Sequence, residues 1–301
     1  MADYVDSEHF NVDPDTYGLR TLYPPEGEDR SILVDIVAVH GLGGDAIQTW
    51  TATNGSDSKL WLSDILPGVL KKDILTSDSS YVRVLTFGYD ASIFVQPAEA
   101  NTKRLQNFAS ALLNGLDDDD LRQDEDKNRP IIFIGHSLGG LVIKQALNIA
   151  HSNSTLGHIL ASTKAIHFYS TPHAGANVKA WAEVLGRMSG SLGMAGTSQT
   201  AKALGTWSPE LLDLSDAFTE RATGIAITTF YETMAEPGGV MVVDEGSARS
   251  GPSGSRIVPL NKTHREMCRF MTLNDSNGKT ILQRMKADVR TIYKAALKSQ
   301  G

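Results

Sequence analysis

The sequence has a single cysteine, Cys268, among 301 residues. A disulfide framework is therefore excluded, and a reducing compartment is expected. Acidic residues outnumber basic ones by 35 to 28, and the net charge of −7 argues against nucleic acid as a partner. No apolar run approaches the ~20 residues of a membrane span, and the acidic N-terminus lacks the apolar core of a signal peptide. We expect a cytoplasmic protein, with peripheral membrane contact left open.

The chain is long enough for one large domain with a buried core. Hydrophobic residues make up 41% and charged residues 21% of it, as in ordinary globular proteins. Strand-like runs alternate with helical segments, which predicts a mostly parallel sheet with helices on both faces. After a polar lead-in at residues 1–31, we expect a single domain that occupies the whole of residues 1–301. Its predicted strands include residues 33–39, 81–89, 131–134, 165–170, 225–231 and 240–243, and its predicted helices include residues 58–70, 97–115, 176–222 and 279–298.

A Gly-x-Ser-x-Gly motif runs from Gly135 to Gly139. The apolar residues 131–134 before it suit a strand buried on both faces, and the apolar residues after it suit a helix packed on the sheet. A sharp turn between strand and helix needs small residues on either side of the serine, and the two glycines meet that need. This context is typical of a nucleophile elbow, with Ser137 at the N-terminus of a helix. The alternative is an ordinary strand–turn–helix with an incidental serine.

A serine hydroxyl needs a base within hydrogen-bond reach. In hydrolases built on this elbow the order along the chain is serine, acid, histidine, so the base should follow the last strand. His264 is the only one of eight histidines beyond residue 173, and we predict that it is the base. The alternative is a surface histidine at the start of a helix.

The acid of such a triad must orient the imidazole and stabilise its charged form. It should follow the strand before the last one, and Glu232 ends the predicted strand at residues 225–231. Glu232 is therefore the first choice. Asp244, which follows the run at residues 240–243, is the alternative acid.

Acyl transfer also needs donors for the oxyanion. One should be the backbone N–H of Leu138, directly after the serine. The other should come from a loop after an early strand, and the glycine-rich segment His40–Gly44 makes the N–H of Leu42 the natural donor. The alternative for this segment is a flexible turn.

A helical insertion is predicted at residues 176–222. It lies between the predicted strands at residues 165–170 and 225–231, which we count as strands 6 and 7 of the complete sheet. Its apolar residues, among them Trp181, Met188 and Leu211, suit either a lid over an acyl pocket or a cap packed on the core. No ligand cluster accompanies His264 and Cys268, so no metal is expected. The segment at residues 40–44 lacks the Lys-Ser/Thr of a P-loop and the spacing of a dinucleotide fingerprint. No cofactor is expected either.

Several motifs together resemble a lipase-like α/β-hydrolase family. It includes the mitochondrial serine-active-site-containing protein, GPI-inositol-deacylase-like hydrolases and the hydrolase domain of fungal NACHT or NB-ARC receptor-like proteins, and the fungal branch is the most similar. The step Tyr169-Ser170-Thr171 departs from the Leu-Gly-Thr of the family pattern. The motifs are Gly18-Leu19-Arg20, residues 34–44 with Thr49-Trp50-Thr51, residues 131–144, Thr171-Pro172-His173-Ala174-Gly175, Phe230-Tyr231-Glu232-Thr233, and residues 259–264 with Phe270.

The resemblance implies an α/β-hydrolase fold with Ser137 as nucleophile and His264 as base, and it favours Glu232 as acid. The predicted function is hydrolysis of a carboxylic ester, either a small molecule or a lipid, through an acyl-serine intermediate. The alternative is a non-catalytic or weakly catalytic effector or signalling module of a receptor-like protein. The sequence predicts no oligomeric state.

Overall fold

A computed structural model describes residues 17–24, 31–75, 80–91, 101–117, 127–173, 183–184, 186–187, 198–249 and 251–299. Its strands are β1 Gly18–Tyr23, β2 Ser31–Val39, β3 Thr51–Asn54, β4 Asp57–Leu60, β5 Ser80–Gly88, β6 Ile131–His136, β7 Thr163–Tyr169, β8 Ala226–Glu232 and β9 Arg256–Leu260. Its helices are α1 Trp61–Asp64, α2 Leu66–Asp73, α3 Asn101–Asp117, α4 Leu138–Ser152, α5 Gly157–Ser162, α6 Ser198–Arg221, α7 Glu245–Arg249 and α8 Ser276–Ser299.

Seven strands form the central sheet in the order β1-β5-β2-β6-β7-β8-β9, and β3 and β4 form a separate hairpin. Only β1, at one edge, is antiparallel to its neighbour among these seven strands; the other pairs are parallel. The carboxyl ends of β6, β8 and β9 therefore lie at the same edge of the sheet, where ligands of open α/β sheets bind. The predicted, mostly parallel sheet is confirmed.

Helices cover both faces of the sheet. Alternate residues of each parallel strand enter two separate cores, because successive side chains point to opposite faces. One core joins α3, α4, α5 and α6 to side chains such as Val37, Phe133 and Phe168. The other joins α1, α2 and α8 to side chains such as Ile36, Ile132 and Phe230. Within the described helices, none has the length and apolar character needed to cross a bilayer.

Two sequence predictions about strands are wrong. The predicted strand at residues 240–243 is a loop, in which Val240 forms a single bridge with Glu236 and Val242 and Val243 are buried. The backbone N–H of Val243 donates to the side chain of Glu232 instead of to a neighbouring strand. The apolar run that predicted a strand is therefore a buried loop. The last strand is β9.

Part of the predicted polar lead-in is a strand. β1 lies at an edge of the sheet, and its side chains are exposed or half-buried. An edge strand of this kind is held by main-chain hydrogen bonds to β5, which its side-chain pattern does not reveal. The predicted helix at residues 58–70 also begins differently, because β4 occupies its first residues before α1 and α2.

Part of the predicted lid, residues 176–182, 185 and 188–197, lies outside the described residues. The end of the predicted insertion belongs to α6, where Leu211 and Phe218 are buried in the core shared with α4. This portion therefore packs as a cap on the core. The position of a lid and the single-domain organisation stay predictions.

Gly139 lies where the start of α4 crosses the end of β2. A Cβ at this position would lie 2.2 Å from the carbonyl oxygen of Val39 and 2.3 Å from that of His40. These are backbone atoms, which cannot move aside without displacing the strand. Glycine is therefore required for helix and strand to come this close.

We predict that Gly139→Ala destabilises the protein by about 1–3 kcal/mol or more, because the added methyl forces α4 away from β2. Gly68→Ala in α2 is the matched control, since a Cβ there meets nothing within 4 Å, and it should raise the free energy of unfolding by about 0.4–1 kcal/mol. Urea unfolding of both variants measures the difference. Equal stabilities for the two variants would contradict the contact.

Candidate active site

Ser137 occupies the turn between β6 and α4. Its backbone has φ 52° and ψ −121°, an unusual conformation for a residue other than glycine. The Ser137 N–H donates to the carbonyl of Tyr169 at 2.9 Å, and the Gly140 N–H donates to the carbonyl of Ser137 at 3.2 Å. A Cβ on Gly135 would lie 2.8 Å from the Cα of Gly140. The turn is thus as tight as the motif predicts, and the surrounding structure holds the strained residue in place.

The side chain of Ser137 is not used to cap the helix. Ser137 is the N-cap residue of α4, yet it makes no side-chain capping hydrogen bond. The first N–H groups of a helix have no partners within the helix, and the helix dipole favours negative charge there. The Ser137 hydroxyl and the backbone of Leu138 therefore lie where a developing oxyanion is stabilised.

The glycine-rich loop after β2 lies against this turn. A Cβ on Gly41 would fall 2.6 Å from the Cβ of Ser137 and 2.8 Å from the carbonyl oxygen of His136. The loop turns back through a hydrogen bond from Gly44 N–H to Gly41 O of 3.1 Å, and Gly43 has φ 67°. Leu42, between these glycines, packs half-buried against the core. The two segments predicted to supply oxyanion donors are therefore adjacent.

His40 braces the same loop from within the core. Its Nε2 accepts from the Tyr89 N–H at 3.2 Å, which leaves Nδ1 to donate to Gly41 O at 3.0 Å. The Tyr89 hydroxyl donates to the His40 carbonyl at 2.8 Å, and the two rings stack at 4.4 Å. Burial lowers the pKa of His40 to about 4. His40 is therefore neutral at pH 7, which both of its ring contacts require.

Glu232 is fully buried at the end of β8. Its Oε1 accepts from the Val243 N–H at 2.6 Å and lies 3.5 Å from His264 Nδ1, while its Oε2 accepts from the Ser170 hydroxyl. Burial alone would raise the pKa of this carboxyl, but the contacts with His264, Ser170 and Val243 outweigh it and hold the pKa below its ordinary value. Glu232 is therefore ionised beside the imidazole.

His264 lies in the segment after β9, with its ring buried beside the elbow. The His136 ring is 4.9 Å away, and its Nε2 donates to the carbonyl oxygen of His264 at 3.0 Å. Burial, and then the electrostatic effect of the nearby His264 ring, hold the pKa of His136 well below its ordinary value, so His136 is a neutral donor. The next residue, Arg265, donates its N–H to the buried Glu236 at 2.8 Å. These bonds fix the main chain that carries the imidazole.

No hydrogen bond joins the Ser137 hydroxyl to His264 in the described part of the chain. The 3.5 Å between His264 Nδ1 and Glu232 is also longer than an ordinary hydrogen bond. Unliganded sites often have such loose contacts, which tighten when substrate binds. The structure thus brings Ser137, Glu232 and His264 to one edge of the sheet in an open arrangement.

Asp244 is engaged elsewhere. Its Oδ2 accepts from Arg187 at 2.9 Å, and its Oδ1 accepts from the Ser247 N–H at 2.8 Å at the start of α7. Burial would raise the pKa of Asp244, but the Ser247 N–H and Arg187 lower it overall. The structure therefore gives Asp244 the role of a helix cap, and Glu232 is the carboxylate next to His264.

Sequence reasoning assigned no part in the site to Ser170 or His136. Ser170 follows β7, which lies beside β8 in the sheet. Its position at the end of a strand was therefore the sequence signal that could have placed it next to Glu232. His136 is the neighbour of Ser137 along the chain, but its contact with the His264 carbonyl depends on the path of the chain after β9. Among the described residues, no group of His, Cys, Asp and Glu could hold a metal ion.

The strand–turn–helix around Ser137 and the parallel sheet define an α/β-hydrolase. The family model described as "Putative serine esterase (DUF676)" matches residues 105–220, which include the elbow. Protein SERAC1 of Bos taurus is 27% identical over 274 residues, which cover 85% of this chain and 39% of that protein. The Danio rerio protein of the same name is 31% identical over 169 residues, which cover 52% and 24%. The chain thus spans about two fifths or less of the length of these relatives.

A solved structure titled "Crystal structure of Bacillus licheniformis lipase BlEst2 in mature form" superposes with a TM-score of 0.50 and 13% identity, and covers 89% of this chain and 97% of that chain. This likeness shows the fold. These similarities support a lipase-like α/β-hydrolase family and a hydrolase of the lipase or esterase type. The predicted fold is confirmed, and the comparisons support the predicted family. The link to fungal receptor-like proteins stays a prediction.

We predict that His40 makes the protein less stable at acidic pH. The folded protein holds the pKa of His40 at about 4, whereas the unfolded chain has the ordinary value of about 6.5. The unfolded state therefore binds the proton first, and stability falls by about 1.4 kcal/mol per pH unit as the pH drops from about 6.5 to about 4.

The measurement is the free energy of unfolding of the wild type and of His40→Gln at pH 7 and pH 4. Every other titratable group is present in both proteins, so the difference isolates His40. The difference in free energy of unfolding between the wild type and His40→Gln should be about 2–3 kcal/mol smaller at pH 4 than at pH 7. Parallel curves would show that His40 is not held neutral.

Proposed function

We propose that this chain is a serine hydrolase that cleaves a carboxylic ester through an acyl-serine intermediate. Ser137 is the nucleophile, His264 the base and Glu232 the acid. The observation that carries the proposal is the approach of His264 Nδ1 to the buried, ionised Glu232 beside the strained elbow of Ser137. A buried carboxylate facing an imidazole at the edge of a nucleophile elbow is the arrangement that activates a serine.

In the first half of the reaction, the Ser137 Oγ attacks the ester carbon and His264 Nε2 takes its proton. The negative charge on the carbonyl oxygen accepts hydrogen bonds from the N–H groups of Leu42 and Leu138. When the intermediate collapses, the bond to the alcohol oxygen breaks, and the imidazolium gives that oxygen its proton. The products of this half are a free alcohol and an acyl ester on Ser137.

In the second half, water attacks the acyl carbon while His264 takes one of its protons. Collapse of this intermediate breaks the bond to Ser137 Oγ, and the proton returns from His264 to the serine. Glu232 keeps its negative charge throughout, holds the proton of Nδ1 and stabilises the imidazolium. No metal or organic cofactor takes part in any step.

The loop at residues 40–44 suits the oxyanion role because its backbone is pressed against the elbow. The close approach of Gly41 to Ser137 leaves no room for a side chain between them. The neutral state of His40 and His136 favours the same chemistry, because neither adds positive charge that would compete with the imidazolium. Preorganised backbone donors of this kind are worth about 3–4 kcal/mol each in hydrolases.

An ester is the proposed substrate because the matched family model is described as a serine esterase. The sequence expectation of a small-molecule or lipid ester, met in the cytoplasm with or without peripheral membrane contact, is part of the proposal. The other candidate, an effector module that acts by binding, has no observation of its own in the described site. It becomes the preferred function if the folded protein proves unreactive in the first test.

The first test is covalent labelling with a fluorophosphonate. The wild type should react, and Ser137→Ala should neither react nor hydrolyse p-nitrophenyl butyrate, with turnover lowered by about 10³-fold or more. Ser152→Ala, at the far end of α4 where the hydroxyl only donates to Asn148 O, is the control and should label fully. A folded wild type that fails to label would favour the binding module.

The second test separates the two acids. Glu232→Gln removes the charge that faces His264, and kcat on p-nitrophenyl butyrate should fall by about 10³–10⁴-fold. Asp244→Asn should change kcat by less than about threefold, because it weakens a helix cap away from the imidazole. The assignment is wrong if Asp244→Asn abolishes turnover while Glu232→Gln retains it.

A further inference from the structure

Ser170 has a backbone conformation that only glycine adopts freely. Its φ is 41°, and within the described part of the chain Ser137 is the only other residue besides the glycines with a positive φ. A side chain in the left-handed region is strained, because its Cβ lies too close to the backbone. Such strain persists where the surrounding structure holds the residue and often marks a functional position.

The surroundings hold Ser170 from both sides of its backbone. It follows the end of β7, and its N–H donates to the carbonyl of Phe230 in β8 at 2.8 Å. The preceding residue, Tyr169, accepts the N–H of Ser137 at 2.9 Å. Ser170 is therefore fixed between the strand that carries Glu232 and the turn that carries Ser137, and its side chain is fully buried.

The Ser170 hydroxyl donates to Glu232 Oε2. Because the carboxylate is ionised, it can only accept, so the hydroxyl proton must lie on the serine. The opposite oxygen, Oε1, takes the Val243 N–H and faces His264 Nδ1. Each oxygen thus has a donor of its own, and rotation of the carboxylate away from the imidazole would break two hydrogen bonds.

We propose that Ser170 is a positioning residue that clamps the Glu232 carboxylate in the orientation in which Oε1 meets His264. This inference rests on the proposed function. Ser170 touches neither substrate nor imidazole and acts only through Glu232. On this account the strained backbone is retained because glycine, which adopts this φ without strain, has no hydroxyl to donate to Glu232.

Two substitutions separate the hydroxyl from the backbone strain. Ser170→Ala removes the hydroxyl and keeps a side chain at positive φ, whereas Ser170→Gly removes both. A hydrogen bond to a charged group contributes about 1.5–3 kcal/mol, so kcat on p-nitrophenyl butyrate should fall by about 10- to 100-fold in both variants. KM should change by less than about twofold, because Ser170 does not contact the ester.

The stability of the two variants should differ even though their activities agree. Ser170→Gly relieves the strained φ and should unfold at higher denaturant than Ser170→Ala. If Ser170 had only a structural role, the kcat of each variant would follow its stability, and Ser170→Gly would be more active than Ser170→Ala. Thr233→Val is the matched control: it deletes the hydroxyl next to Glu232 along the chain, which donates to Leu260 O at 3.1 Å and not to the carboxylate. Its kcat should stay within about twofold of the wild type, because an exposed hydroxyl outside the site is deleted.

Wild-type kcat in Ser170→Gly would overturn the inference, as would an equal loss of kcat in Thr233→Val. Ser137→Ala is measured alongside. If it keeps turnover, or if the wild type shows none, the proposed function fails and this inference with it. If Ser137→Ala is inactive while both Ser170 variants match the wild type, the hydrolase stands and only the role of Ser170 falls.

Discussion

The whole site depends on the close backbone contact where α4 begins against the ends of β2 and β6. Gly139 lies against the carbonyl oxygens of Val39 and His40, and Gly41 lies against Ser137. Contact at this distance is possible only without side chains, and it joins the glycine-rich loop to the elbow. The strained φ of Ser137 and the adjacency of the two donor segments both follow from it, because any separation of helix and strand would separate them as well.

The buried ionisable groups near this contact differ in their charge. His40 and His136 are buried and neutral, since the interior lowers their pKa values. Glu232 is the buried carboxylate beside the imidazole, and contacts from three different segments hold it ionised: Ser170 after β7, Val243 in the loop after β8, and His264 after β9. A single negative charge facing a histidine is what an imidazolium needs when it forms, and neutral neighbours avoid repulsion.

Local patterns in the sequence identify much of this site. The elbow can be identified because its glycines, its apolar strand and its helix are contiguous in sequence. His264 can be identified because it is the only histidine after residue 173. The same reasoning fails at residues 240–243, where apolar residues cover Glu232 from a loop, and at β1, which is held by main-chain bonds at an edge. In both cases burial or backbone pairing, not side-chain periodicity, decides the local structure.

The sequence by itself predicted Ser137 and His264 as nucleophile and base, two segments for the oxyanion donors and a fold of mostly parallel strands. Each of these predictions depends on neighbouring residues or on order along the chain. Only the tertiary structure placed Glu232, and not Asp244, next to His264 and revealed the contacts of Ser170 and His136. Ser170 and Glu232 are 62 residues apart, and His136 and His264 are 128 apart. Such contacts arise from the order of strands within the sheet, and no local pattern encodes which strand ends become neighbours.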